Sequence, residues 1–129
     1  MVVVETLAQA VEIEKNVEYN YVYKLLESSY GVDVNGKTQI VQAYGIEVER
    51  EDVIKGKKVS QCRDFVKYIS PKKEKVGNIM KMLYQHLVSP IHLIDVIGEY
   101  VDECVNDFDE ELLIKEMKEI EGLKNMVAL

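Results

Sequence analysis

Val17-Glu18-Tyr19-Asn20-Tyr21-Val22-Tyr23-Lys24-Leu25-Leu26-Glu27 alternates with period two. Val17, Tyr19, Tyr21, Tyr23 and Leu25 fall on one side of an extended chain. Glu18, Asn20 and Lys24 fall on the other, together with the apolar Val22 and Leu26. Alternation of β-branched and aromatic residues predicts a strand. Asn35-Gly36 follows, a dipeptide that accepts positive φ at both central positions of a tight turn. Residues 38–48 then resume the alternation, with Thr38, Ile40, Gln42, Tyr44, Ile46 and Val48 on one face. An antiparallel hairpin is the reading. Gly45 sits inside its second strand, where a missing side chain signals a bulge or the close approach of another backbone.

Outward from this hairpin the chain is less uniform. Val2 to Ile13 admits two readings. It is a strand pairing with residues 17–27 through Lys15-Asn16, or a short helix marked by Leu7, Ala10 and Val11. Lys55-Gly56-Lys57 reads as a turn, and residues 58–69, ending Phe65-Val66-Lys67-Tyr68-Ile69, as a further strand. The expected sheet has three or four strands and is mostly antiparallel, because every connection is too short for a crossover.

The second half changes period. Ser70-Pro71 and Ser89-Pro90, the only prolines, read as N-caps with proline in the first helical position. Behind the first, Val76, Ile79, Met80, Leu83 and Leu87 recur at helical spacing. Behind the second come Leu93, Ile94, Ile97, Val101 and Cys104. A third helix is expected from Asp107 or Asp109. It carries Leu113, Ile114, Met117, Ile120, Leu123 and Val127, and its acidic start suits the positive end of the helix dipole. The fold class is α+β in a single domain, 1–129: a sheet over 1–69, two helices over 70–106, and an acidic amphipathic helix over 107–129. That last helix either closes the core or docks onto a second copy or a partner.

Composition narrows the function. The chain has 129 residues, 47% hydrophobic, enough for one core without disulfides or metal. No apolar run approaches the length of a membrane span. The N-terminus lacks a basic region followed by an apolar stretch and a small-residue cleavage site, so a cytoplasmic protein is expected. Cys62 and Cys104 read as reduced thiols, with a single bridge between them left open. The net charge of −7 argues against nucleic acid and anionic membrane as partners.

The charge is also segregated. Eight basic residues lie between Lys55 and Lys75, and eleven acidic ones between Asp95 and Glu121. Ser70, Lys72, Lys73 and Lys75 form a candidate anion site, since a helix start offers free N–H groups and three ammonium groups flank this one. Asp107, Asp109, Glu110 and Glu111, with Leu113, Met117 and Ile120, form a candidate interaction surface.

No enzyme signature accompanies these features. There is no G-x-S-x-G, no Walker A loop and no G-x-G-x-x-G. His86 and His92 have no ligand spacing, so neither a metal nor a cofactor is expected. Tyr19, Tyr21, Tyr23 and Tyr44 could stack bases, but an acidic chain without an RNA-binding signature favours a tyrosine-rich core.

At Tyr44-Gly45-Ile46 and at Ser89-Pro90-Ile91-His92-Leu93-Ile94-Asp95-Val96-Ile97 the chain resembles a family of small uncharacterised clostridial proteins, a domain of unknown function. The resemblance spans roughly residues 17–105 and leaves out the acidic last helix. It implies a cytosolic protein of a spore-forming anaerobe and carries over no catalytic residue or ligand.

The expected function is a non-enzymatic protein-interaction or regulatory domain with a protein partner, a homodimer being one form. Two alternatives stand beside it. One is an acidic inhibitor imitating nucleic acid through Asp102, Glu103, Asp107, Asp109, Glu110 and Glu111. The other is a small-anion or nucleotide-binding domain built on the lysine-rich helix start.

Overall fold

The computed structural model describes residues 1–127, with side chains through residue 123. Four strands run in simple order, β1 (Val2–Glu14), β2 (Val17–Val34), β3 (Lys37–Ile54) and β4 (Lys57–Ser70), each antiparallel to the next. The N-terminal segment is therefore a strand. Its Leu7 lies across from Tyr23 and its Val11 from Tyr19, so its apolar residues serve the same face as the tyrosines. All three hairpin turns use the left-handed region. Asn35 and Gly36 have φ 52° and 78°, Lys55 and Gly56 49° and 78°, and Asn16 66°. Asparagine and glycine adopt this conformation readily, which fixes the register of each hairpin.

Three helical pieces follow: α1 (Lys73–Gln85), a single 3₁₀ turn (Pro90–His92) leading into α2 (Leu93–Glu103), and α3 (Asp107–Val127). The first begins later than the Ser70-Pro71 pair suggests. Ser70 is still strand, paired with Tyr44, and Lys72 is the capping residue without a side-chain cap. The Ser70 hydroxyl instead accepts the Lys72 N–H at 3.1 Å and donates to Asp107. Ser89-Pro90 likewise opens the 3₁₀ turn before helix proper begins.

The core lies between the sheet and α1, α2 and the 3₁₀ turn. Tyr21, Tyr23, Leu25, Ile46 and Val48 meet Val76, Ile79, Met80, Leu83, Leu93 and Ile97 there, all buried. Tyr21 and Tyr23 stack, and Tyr84 stands edge-on to Tyr23. The tyrosine face is thus a core face, not a base-stacking platform. Its reverse carries Lys24, Glu47, Glu49 and Arg63, joined by ion pairs of 3.2–3.4 Å. Water on one side and core on the other is the usual economy of an antiparallel sheet.

Tyr23 is fully buried, and its hydroxyl donates to the Val88 carbonyl at 3.0 Å. Burial, with Tyr21 beside it, pushes the phenol far up, so it remains a donor at all working pH. The bond holds the connection after α1, where Leu87 itself has φ 51°. Tyr23→Phe leaves the Val88 carbonyl unpaired and is expected to cost about 1 kcal/mol, read from urea midpoints at unchanged slope.

β2 and β3 outrun their neighbours. β1 starts at Val2, opposite Glu27, and β4 ends at Ser70, opposite Tyr44. Residues 28–43 are left as a two-stranded ribbon. Leu26, Val41 and Ala43 are buried on the face opposite Tyr23, and the ribbon is where α3 arrives.

Candidate functional site

The two charged groups singled out in the sequence meet in space. Asp107, the first residue of α3, is buried and reaches into the lysine-rich start of α1. Its carboxylate accepts from Lys75 Nζ at 2.9 Å and from Ser70 Oγ at 2.7 Å, and pairs with Lys72 Nζ at 3.6 Å. Lys72 also pairs with Glu110 at 3.3 Å. The anion facing this helix start is therefore the chain's own carboxylate. Of the candidate set only Lys73 stays outside the cluster, exposed on α1.

Burial alone would raise the Asp107 carboxyl, but the Lys75 and Ser70 hydrogen bonds and the two ammonium charges outweigh it and hold it below the ordinary value. Lys75 is raised in turn, first by its hydrogen bond to Asp107. A depressed carboxyl adds stability above its unfolded pKa of about 4, and that stability is lost as pH falls through the lower folded value. The α3 anchor is thus expected to hold at neutral pH and release in acid. Asp107→Asn keeps an acceptor for Ser70 but removes the charge facing Lys75. A loss of about 1–2 kcal/mol is expected, with the acid transition of the Phe108 ring resonances abolished.

From this anchor α3 runs along the ribbon. Phe108 and Tyr68 each lie with ring centroid 5.0 Å from Tyr30, and Lys115 Nζ donates to the Ile40 carbonyl. Leu112 and Leu113 line an open groove of about 490 Å³ with Val34, Lys37 and Gln39. Phe108 and Leu112 were not among the sequence candidates, yet with Asp107 they hold the helix. Their four-residue spacing, on a different side from Met117, is the signal that could have found them.

Past Phe108 and Leu112 the packing thins, although Lys115 still reaches Ile40 and Leu113, Glu116 and Glu119 border the open groove. Leu113, Ile114, Met117, Ile120 and Leu123 are 45–61% exposed. At roughly 100° per residue, Met117 points away from the ribbon side marked by Phe108, Leu112 and Lys115, while Leu113 and Ile120 lie together on one side of it, toward the groove. An apolar stripe largely facing water along a lightly packed helix is a feature with an unmet requirement, since short helices are marginal alone.

The acidic members are divided. Asp107 is buried and Glu110 is paired, while Asp102, Glu103 and Asp109 are exposed and Glu111 half-buried. A continuous acidic face is therefore thinner than the sequence suggests.

A second polar cluster, unmarked in the sequence, lies at the turn end of the core face. Arg50 sits 4.2 Å over the Tyr19 ring and pairs with Asp52 at 2.8 Å, and Ser60 Oγ donates to Asp52. The Asp52 bond raises the Arg50 guanidinium. Every member has a partner within the cluster, which reads as a clasp between strands. Cys62 and Cys104 are free thiols. Among the described residues no group of three His, Cys, Asp or Glu side chains is placed to hold a metal, and no helix is long and apolar enough to cross a membrane.

The model of a family described as "Family of unknown function (DUF6514)" matches residues 1–103. The match begins earlier than the stretch that carries the sequence resemblance, and α3 lies beyond its end. No curated protein and no solved structure matches the chain.

Proposed function

The chain belongs to this family of unknown function, and on that premise we propose that it is a non-enzymatic protein-interaction domain whose docking element is α3. The observation that carries the reading is the stripe of Leu113, Met117 and Ile120, each about half exposed on a helix that is clamped at its start and only lightly packed beyond it. Burying an aliphatic side chain of this size contributes about 1.5–3 kcal/mol, so even a short stripe drives association. The anion-binding alternative is weakened by Asp107 lying among Lys72 and Lys75. The acidic-inhibitor alternative loses the same carboxylate to the interior. A cytoplasmic setting belongs to the same proposal, and the free thiols support it.

Removing the whole of residues 107–129 would also strip Asp107 and Phe108 from the folded body, so point changes in the full chain are the cleaner probe. A photo-crosslinking residue replacing Met117 is expected to give adducts of discrete mass in the producing cells. The same residue replacing Lys81, exposed on α1, is expected to give none. Absence of adducts from position 117 refutes the reading.

A further inference from the structure

Resting on that reading, we infer that the partner of α3 is a protein presenting a basic amphipathic helix. Its apolar face covers the exposed stripe, and its lysine or arginine side chains enter the open groove between α3 and the β2–β3 ribbon. The groove, about 490 Å³, is lined in part by Val34, Leu112 and Leu113. Val34 stands across from Lys37, and Gln39 lies two residues further along the same face, the one on which Val41 and Ala43 are buried nearer the body. The apolar floor therefore runs out of the fold into an open cleft. On its other wall Asp109, Leu113, Glu116 and Ile120 follow one another at helical spacing, and all four are exposed. Carboxylate and aliphatic side chains thus alternate along one line of α3, with Met117 beside it.

Charge selects the chemistry of the occupant. Among the described residues lining the groove, the carboxylates of Asp109, Glu116 and Glu119 stand against one ammonium, that of Lys37. None of the three carboxylates takes part in an ion pair among the described residues, whereas Asp107 and Glu110 are held by Lys75 and Lys72. Lys115 is turned to the Ile40 carbonyl, and Lys118, two residues past Glu116, faces another side of the helix. A lysine or arginine entering here lays its methylene stem on Val34 and Leu112 and sets its charge at the carboxylates. An acidic segment is repelled by the same groups.

The shape suits a length of chain, not a small cation. A small-molecule site encloses most of its ligand, while this groove is open and its line continues to Ile120. Asp109 to Ile120 covers about 16 Å of helix, room for about three turns of a second helix laid alongside.

Fluorescence anisotropy with the purified full chain tests this against three labelled probes: a model peptide of leucine and lysine at helical spacing, its counterpart with glutamate for lysine, and an oligolysine. The leucine–lysine peptide should bind, the glutamate counterpart should not, and oligolysine should bind at least about tenfold more weakly. Glu116→Lys combined with Glu119→Lys should weaken the leucine–lysine peptide at least about tenfold. Glu99→Lys combined with Glu103→Lys makes the same change of net charge at exposed positions of α2, and should leave binding within about twofold. Circular dichroism should be unchanged in both. An equal loss in the two pairs reports net charge alone and overturns the inference, as does binding of the glutamate peptide. A dimer of the chain alone that the groove pair dissociates would put a second copy there and overturn it too. If position 117 gives adducts in cells while the groove pair leaves peptide binding intact, the interaction reading stands and this inference falls. Absence of any adduct removes both.

Discussion

Gly45→Ala is expected to prevent folding at ordinary temperature, or to cost at least about 3 kcal/mol, the upper end of overpacking penalties. Lys67, Tyr68 and Ile69 all stand opposite Gly45, because the β3–β4 register runs from Tyr44–Ser70 directly to Ile46–Val66. This bulge brings the β4 backbone over the glycine. A Cβ there would lie 2.1 Å from the Val66 carbonyl oxygen and 2.3 Å from that of Lys67. Both atoms are main chain, so no rotamer change relieves the clash. The bulge must open, and it lies at the junction that delivers Ser70 to Asp107 and Tyr68 to Tyr30. The measurement is the urea midpoint of the soluble variant, or its partition into aggregates. A variant within 1 kcal/mol of the parent would mean the bulge is soft, by the usual scale of surface substitutions.

Met117→Asp is the second large effect, and it acts on association alone. The residue is 55% exposed on a helix side turned from the ribbon, so the isolated fold should keep its stability. In a docked state the same position lies at the centre of the stripe. A carboxylate there loses the methionine's burial and is itself desolvated without a partner. Together these amount to about 3 kcal/mol or more, a weakening of at least roughly 100-fold. The melting temperature of the purified variant should therefore match the parent, while adducts formed in cells through a photo-crosslinking residue at Ile120 should disappear. Adducts of undiminished yield would place Met117 outside the interface.

How legible this molecule is in its sequence depends on the range of the interactions. The hairpin, its Asn35-Gly36 turn and the close approach at Gly45 are all readable, because alternation, positive φ and a missing side chain are local properties. β1 is ambiguous for the same reason. Leu7, Ala10 and Val11 satisfy helical spacing as well as a strand does, and only their places opposite Tyr23, Asn20 and Tyr19 decide between them.

The helix starts show the opposite limit. Ser70-Pro71 has the composition of a cap, yet its hydroxyl serves Asp107, 37 residues further along the chain. No local pattern announces that encounter. The lysine cluster and the acidic helix were each visible as candidates, but that one carboxylate satisfies much of the other group was not. On α3, Leu113, Met117 and Ile120 stood out by spacing. Phe108 and Leu112 did not, because what distinguishes an anchoring apolar residue from an exposed one is the ribbon beneath it.

Amide hydrogen exchange along α3 tests the central claim most directly. A helix end with no packing should exchange at nearly unfolded rates. The account predicts that in the purified chain residues 107–112 are protected while residues 117–123 exchange at nearly unfolded rates. Protection of 117–123 equal to that of 107–112 would contradict it, and would mean that this half of the helix needs no partner.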